Sequence, residues 1–200
     1  MKPEVVTLKV GEATIKMPAS TVAGLVLASV VSHIAPSAQV AANGIASYIP
    51  EAGSYWPGQG GINGGLVPAR ADVPAHYLIF ANEDVGEHEY GRRGEESKAT
   101  SKADGMSNST ILLSEGGHPA ASAASGYSAD GHNDFYLPAA TELYQGWVNC
   151  PQIFAQDCYY WSSSQRSADS AFNMHFGGGL QGSYAKYHEL RARPVRRFFI

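Results

Sequence analysis

The chain has 200 residues, of which 44% are hydrophobic, 16% are charged and 22 are glycine, and its formal net charge is −4. That much apolar material builds a core and excludes wholesale disorder, while sparse charge and frequent glycine point to a loop-rich fold and away from a helical bundle. No global positive field is present, so neither nucleic acid nor an acidic membrane surface is an expected partner.

From the N-terminus, residues 5–10 alternate, with Val6, Leu8 and Val10 on one face. Gly11 and Glu12 can turn the chain, and Ala13, Ile15 and Met17 repeat the alternation, so a short hairpin ended by Pro18 is expected. Ser20 is a candidate N-cap for a helix over residues 21–34, where Val22, Leu25, Val26, Ser29, Val30 and His33 recur at helical spacing. His33 on that stripe reads as a satisfied interface histidine before it reads as a ligand. A lone hairpin and a lone short helix are each marginal in water. Residues 1–45 therefore read as a docking or oligomerisation arm, packed either on its own chain or on other copies. The apolar heart of the uncharged stretch 17–50, residues 22–31, is too short for a membrane span of roughly 20 residues. Glu4 and Glu12 precede it where a signal peptide has a basic start, so neither an export signal nor membrane insertion is expected. Residues 36–43 read as a linker, and the main domain is expected over 46–200.

Within that domain, His76-Tyr77-Leu78-Ile79-Phe80 is a strand candidate. Residues 82–134 are long, polar and without periodicity, which predicts a functional loop or ordered irregular structure. Pro138 is expected at the first position of a short helix carrying Leu143, Tyr144 and Trp147. Strands are expected at 159–162, 171–176 and 190–200, with Gly177-Gly178-Gly179 as a turn. Trp56 and Trp161 read as core. Cys150 and Cys158 alone make neither a disulfide framework nor a four-ligand zinc site. A local bridge and two free thiols in a reducing compartment both remain open.

Candidate chemistry is thin. Glu87-His88-Glu89 and the segment 130–134 lack the spacing of a His-Glu-x-x-His zinc helix or an EF-hand loop. Asn133 and Asp134 could serve a calcium ion, or Asp134 could accept backbone hydrogen bonds that fix the loop before Leu137-Pro138. Glu142 reads as support for a helix N-terminus. Residues 162–164 lack the Gly-x-Ser-x-Gly elbow, and a glycosidase would need a second carboxylate about 5–10 Å from the first. The reading is therefore of a protein that is not an enzyme, with no catalytic residue, metal or cofactor assigned. Lys186, Arg191, Arg193, Arg196 and Arg197 form either an anionic-glycan site or, for Arg193 and Arg196, ion pairs with acids such as Asp134 or Glu142 that lock the final strand. The expected contact face comprises Tyr184, Tyr187 and His188 with Gln165, Arg166, Asp169 and Gln181, because Tyr gives large contact at small entropy cost.

Asp134-Phe135-Tyr136-Leu137-Pro138 with Glu142-Leu143 resembles the D-W-x-L-P-x-x-x-E-L signature of the DUF1566 family. Tyr160-Trp161-Ser162-Ser163-Ser164 resembles its YWSSS box, and Ala171, Phe176 and Gly179 followed by Arg193-Pro194-Val195-Arg196 resemble its ending. Tyr55-Trp56-Pro57-Gly58 looks like the family's domain start, and Asp104-Gly105 with Asn108-Ser109 is similar to its DG-x-x-NT segment. Phe135 for Trp and Ser109 for Thr are the departures. The resemblance covers residues 46–200 and implies an α+β, C-type-lectin-like fold: a small twisted antiparallel sheet, short helices and long ordered loops. It also implies the settings in which that family occurs, bacterial adhesins and phage tail or receptor-binding proteins. A lectin-like domain without an export signal suits a virion tail component assembled in the host cytoplasm. Its expected partners are a bacterial surface receptor, other tail proteins and further copies of itself. A structural baseplate or decoration protein and a surface-glycan-acting enzyme are the alternatives.

Overall fold

The computed structural model describes residues 5–10, 13–18, 49–70 and 73–200. The chain divides into two units, Met1–Tyr48 and Ile49–Ile200. In the first, β1 (Val5–Val10) and β2 (Ala13–Pro18) pair antiparallel from Val5↔Pro18 to Val10↔Ala13, the hairpin that the alternation predicts. Pro18 belongs to the strand instead of ending it, since at a terminal rung its missing N–H interrupts no inner ladder bond. The helix expected over 21–34, His33, the linker and the expected boundary at 45/46 lie outside the described residues.

The second unit is mixed α+β. Its elements in chain order begin with β3 (Tyr55–Trp56), β4 (Gly61–Val67), β5 (His76–Ala81) and β6 (Glu87–Glu89). Three helices follow, α1 (Gly105–Glu115), α2 (Pro119–Ser125) and α3 (Ala140–Asn149). Then come β7 (Tyr159–Gln165), β8 (Ser170–His175), β9 (Leu180–Ala185), β10 (Glu189–Arg191) and β11 (Val195–Phe199). One antiparallel sheet has the order β11-β5-β4-β3, the other β6-β10-β7-β8-β9, in which only β10 and β7 run parallel.

Strand β7 divides two cores, because successive side chains on a strand point to opposite faces. Tyr160 enters a cluster with Leu78, Phe80, Leu143, Phe154 and Phe176, whereas Trp161 enters one with Tyr90, Leu112, Leu137 and the alanines of α2. Burying an aromatic side chain removes about 150–250 Å² from water, on the order of 4–6 kcal/mol of transfer free energy. Helix α3 closes the first cluster at Gly146, where a Cβ would lie 2.9 Å from Phe80 Cζ and 3.0 Å from Phe154. A side chain there would push the helix off the sheet.

Several expectations are corrected. The polar stretch 82–134 holds β6, α1 and α2. Helix α1 escapes an apolar-stripe search because it buries Gly105, Asn108 and Ser109 beside a single Leu112. The polar positions are answered by hydrogen bonds, Asn108 Nδ2 to the Ser101 carbonyl at 2.7 Å and Ser109 Oγ to the Leu137 carbonyl at 3.2 Å. Its start is fixed by Asp104, whose carboxylate accepts from Ser107 N at 3.1 Å. Helix α3 is capped by Ala139, so Pro138 lies just before the cap and not at the first helical position. The end is closed by Glu142, which accepts the Ala139 N–H at 2.7 Å. The strand expected over 190–200 is two strands in different sheets. Pro194, lacking a ladder donor, separates β10 from β11 while Arg193 Nη1 donates to the Ala81 carbonyl at 2.9 Å.

Candidate recognition face

Pairing places Tyr159 opposite His175, Asn173 opposite Gly182, and Ala171 opposite Tyr184. These residues therefore share one face of the five-stranded sheet. Gly182 offers no side chain between Tyr184 and Tyr159, and the two rings meet with centroids 4.8 Å apart. Hydrogen bonding with Tyr159 raises the Tyr184 phenol above its usual value of 10.0. The ring contacts continue in both directions: Tyr159 to His175 at 4.8 Å, Tyr184 to His188 at 5.4 Å, and His188 to Tyr187 at 4.5 Å. The Arg93 guanidinium caps the run 4.9 Å from the Tyr187 ring centre and reaches Asp169 Oδ1 at 3.3 Å. Tyr184 is 37% exposed and Tyr187 49%. Beside Gly182 lies Asn173, 3% exposed, whose two amide atoms have no hydrogen-bond partner among the described residues.

The structure thus brings together four of the seven expected contact residues: Asp169, Tyr184, Tyr187 and His188. Arg166 and Gln181 are exposed but separate from them. Arg166 donates to Ser183 Oγ at 2.8 Å, and Gln181 donates to the Ala140 carbonyl at 3.4 Å. Ser183 and Gln181 alternate with Tyr184 along β9 and so face the other side of the sheet. Gln165 is a correction: it is 3% exposed and fully engaged. Its Oε1 accepts from Ser97 N at 2.8 Å and from Lys186 Nζ at 2.6 Å, while its Nε2 donates to Glu96 Oε2 at 2.6 Å. Between the strands expected at 171–176 and 190–200, the glycine turn is followed by a further strand, β9. Tyr159, His175 and Arg93 were missed. Tyr159 opens the strand expected at 159–162, which the core reading of Trp161 marks as buried, and nothing in the sequence ties Arg93 to Tyr187.

The basic C-terminal segment is not an anion site, because its charges are answered. Lys186 is fully buried and donates to the Glu95 carbonyl at 2.7 Å; burial lowers its pKa, against the pull of Glu96 and Glu115. Arg191 and Arg193 meet Asp84 at 3.3 and 2.6 Å, and Arg197 meets both Asp104 and Glu142 at 2.9 Å. Arg196 holds both oxygens of Asp134, at 2.6 and 3.1 Å. The final strand is locked by ion pairs, with Arg193 on Asp84 and Glu142 taken by Arg197. Asp134 is therefore a guanidinium partner, and Asp130 is the loop-fixing acceptor, taking Tyr55 OH at 2.6 Å and the N–H groups of Gly58 and Gly60 at 3.0 and 3.1 Å. Cys150 and Cys158 are free thiols, and burial pushes Cys150 up to about 12.

Among the described residues no three His, Cys, Asp or Glu side chains are grouped to hold a metal ion, and no helix is long and apolar enough to cross a membrane. No protein-family model matches the chain, and no curated protein matches it.

Proposed function

We propose that the chain is a non-catalytic recognition protein, a phage tail-associated, adhesin-like binder of a bacterial surface ligand. The observation that carries this reading is the aromatic run Tyr159–Tyr184–His188–Tyr187 under Arg93, in which Tyr184, His188 and Tyr187 are exposed and Tyr159 is half-buried. Rigid aromatic side chains offer contact area with little entropy to lose, and a guanidinium at the edge adds a directional donor set. Lectin-like architecture and the tail setting come from the DUF1566-like boxes, several of whose residues, Trp161, Ser162, Ser163, Ser164, Arg193 and Arg196, are buried. Residues 1–45 serve as the arm that gathers copies, so that weak single-site contacts add through avidity.

Adsorption of the labelled full chain to a panel of bacterial cells tests this. Saturable binding that drops at least about ten-fold in Tyr184→Ser/Tyr187→Ser, with the fold intact, is the expected result. Release of soluble glycan during binding would replace the reading with an enzymatic one. A structural virion role is the second reading, favoured by the edge position of β9 and by Leu180, which is 60% exposed on it. Absence of cell binding, together with self-association abolished by Leu180→Lys, would select it.

A further inference from the structure

Four strand edges bound the two sheets of the second unit, and three of them are closed to further pairing. Strand β3 has two residues, and β6 has three, of which Glu87 and Glu89 are charged. Strand β11 carries Arg196 and Arg197, and its outer side is already bonded to Tyr136. There Tyr136 N donates to the Val195 carbonyl at 2.8 Å and Val195 N to the Tyr136 carbonyl at 2.9 Å. Short length, charge and covering are what keep an edge from pairing with another chain. Among the described residues β9 has none of them. It runs six residues, Leu180–Ala185, without a charged residue, a proline or a bulge, and Leu180 is 60% exposed on it.

The backbone of β9 shows where a further strand bonds. Along an antiparallel ladder, residues bond alternately to the neighbouring strand and away from it. Lys186 N donates to the Asp169 carbonyl at 2.9 Å, one step past the Ser170↔Ala185 pair of the β8 register. By alternation Tyr184, Gly182 and Leu180 bond to β8, while Gln181, Ser183 and Ala185 turn their N–H and C=O groups outward. Ala185 is spent, because its carbonyl accepts from His188 N at 3.0 Å. Gln181 and Ser183 remain, with no backbone hydrogen bond outside the ladder among the described residues.

We infer that β9 pairs antiparallel with β9 of a second copy of this chain, across a two-fold axis at Gly182. Gln181 of each copy then faces Ser183 of the other, and these two rungs close four N–H···O=C bonds. An axis at Ser183 would instead set Gln181 against the other copy's Ala185, whose carbonyl is taken. In the Gly182 register Leu180 lies opposite the other copy's Tyr184, both of them exposed in the single chain. The turn of Gly177, Gly178 and Gly179, bare of side chains, lies opposite the residues that follow Tyr184. The strand is thus its own complement, aliphatic to aromatic on one face and amide to hydroxyl on the other. An axis normal to the sheet puts both aromatic runs on the same side, each with the other copy's Leu180 beside its Tyr184. That completion of the face rests on the recognition reading; the pairing itself does not.

Gly182→Cys tests the register. At a non-hydrogen-bonded position its Cα lies about 4.5 Å from that of its copy, within disulfide reach. Its Cβ meets Asn173 Oδ1 at 3.4 Å, an ordinary contact. Ser183→Cys is offset by two residues from its copy, on the order of 8 Å away and out of reach. Both are made in the full chain with Cys158→Ser, since Cys150 is buried, and oxidised with glutathione disulfide with no cells present. Gly182→Cys is expected to give a disulfide-linked dimer at least about ten-fold faster than Ser183→Cys. Adding Ser183→Pro, which removes an outward N–H and no bond to β8, is expected to slow that linking at least about ten-fold. Leu180→Lys, which supplies the edge charge that β9 lacks, repeats this test with the backbone untouched. Linking of Ser183→Cys as fast as Gly182→Cys would overturn the assignment. So would linking indifferent to both Ser183→Pro and Leu180→Lys. Absence of linking in either cysteine variant at about 1 mM chain would also overturn it, leaving β9 to a strand of another protein and the recognition reading untouched.

Discussion

The polar seam toward the end of β7 and the aromatic run that begins at its first residue are built from the same strand to opposite purposes. In the seam every hydroxyl is spent: Ser162 Oγ donates to the Phe172 carbonyl at 2.8 Å, Ser164 Oγ donates to the Ser101 carbonyl at 2.7 Å, and Ser163 Oγ accepts from Asn108 at 3.3 Å. Along the aromatic run, rings touch rings, and Tyr184 and Tyr187 keep a large share of their surface exposed. A residue whose hydrogen bonds are complete within its own chain has nothing left for a partner. Recognition is therefore to be sought where packing is partial, and Gln165, polar and adjacent to the exposed loop, falls on the structural side of that line.

The largest test of this division is Glu142→Ala. It strips Arg197 of its most buried partner, and urea denaturation is expected to record a loss of about 3–5 kcal/mol; a change under about 1 kcal/mol would mean that the seam is not what holds the fold. Next is Gln165→Ala, which leaves Ser97 N and the buried Lys186 ammonium short of an acceptor, for about 1–3 kcal/mol. Unchanged stability with lost cell adsorption would move Gln165 back to the recognition side. A smaller effect is expected with pH. Burial lowers both His76 and His118 below 6.5, so the folded chain binds fewer protons than the unfolded one as pH falls past that value. Stability is then full above about pH 6.5 and declines below it, and melting curves of His118→Gln are expected to show a shallower decline. The smallest effect on stability belongs to Tyr184→Ser/Tyr187→Ser, within about 0.5 kcal/mol by urea titration. A loss several times larger would show that the run is a packing element.

Strands were the most legible part of this fold, because β1, β2, β5, β7 and β8 carry their alternation or apolar runs in the open. Helices α1 and α2 were not, since helix signals rest on apolar stripes and these bury Asn108, Ser109 and alanines. In the strand expected over 190–200, the break at Pro194 was written in the sequence; what was not is that the two halves join different sheets, because pairing is decided by Glu87–Glu89 and His76–Ala81 far upstream. Of the contact face, the part near in sequence, Tyr184 to His188, was readable from composition. The part that comes from afar, Arg93 and Tyr159, was not.

Strand β11 is paired along its whole length with β5, and Phe198 lies 5.0 Å from Trp56 at the opposite edge of the same sheet. Residues at the beginning of the second unit thus find part of their packing only among the last residues of that unit to be synthesised. While the ribosome is still short of Phe199, β5 lacks one of its two flanking strands, and Asp84, Asp134 and Glu142 wait for arginines not yet made. Contacts so distant in sequence slow folding. The nascent unit accordingly holds open an apolar strand until its final residues emerge, and chaperone demand during synthesis is set by that interval more than by the stability of the finished fold.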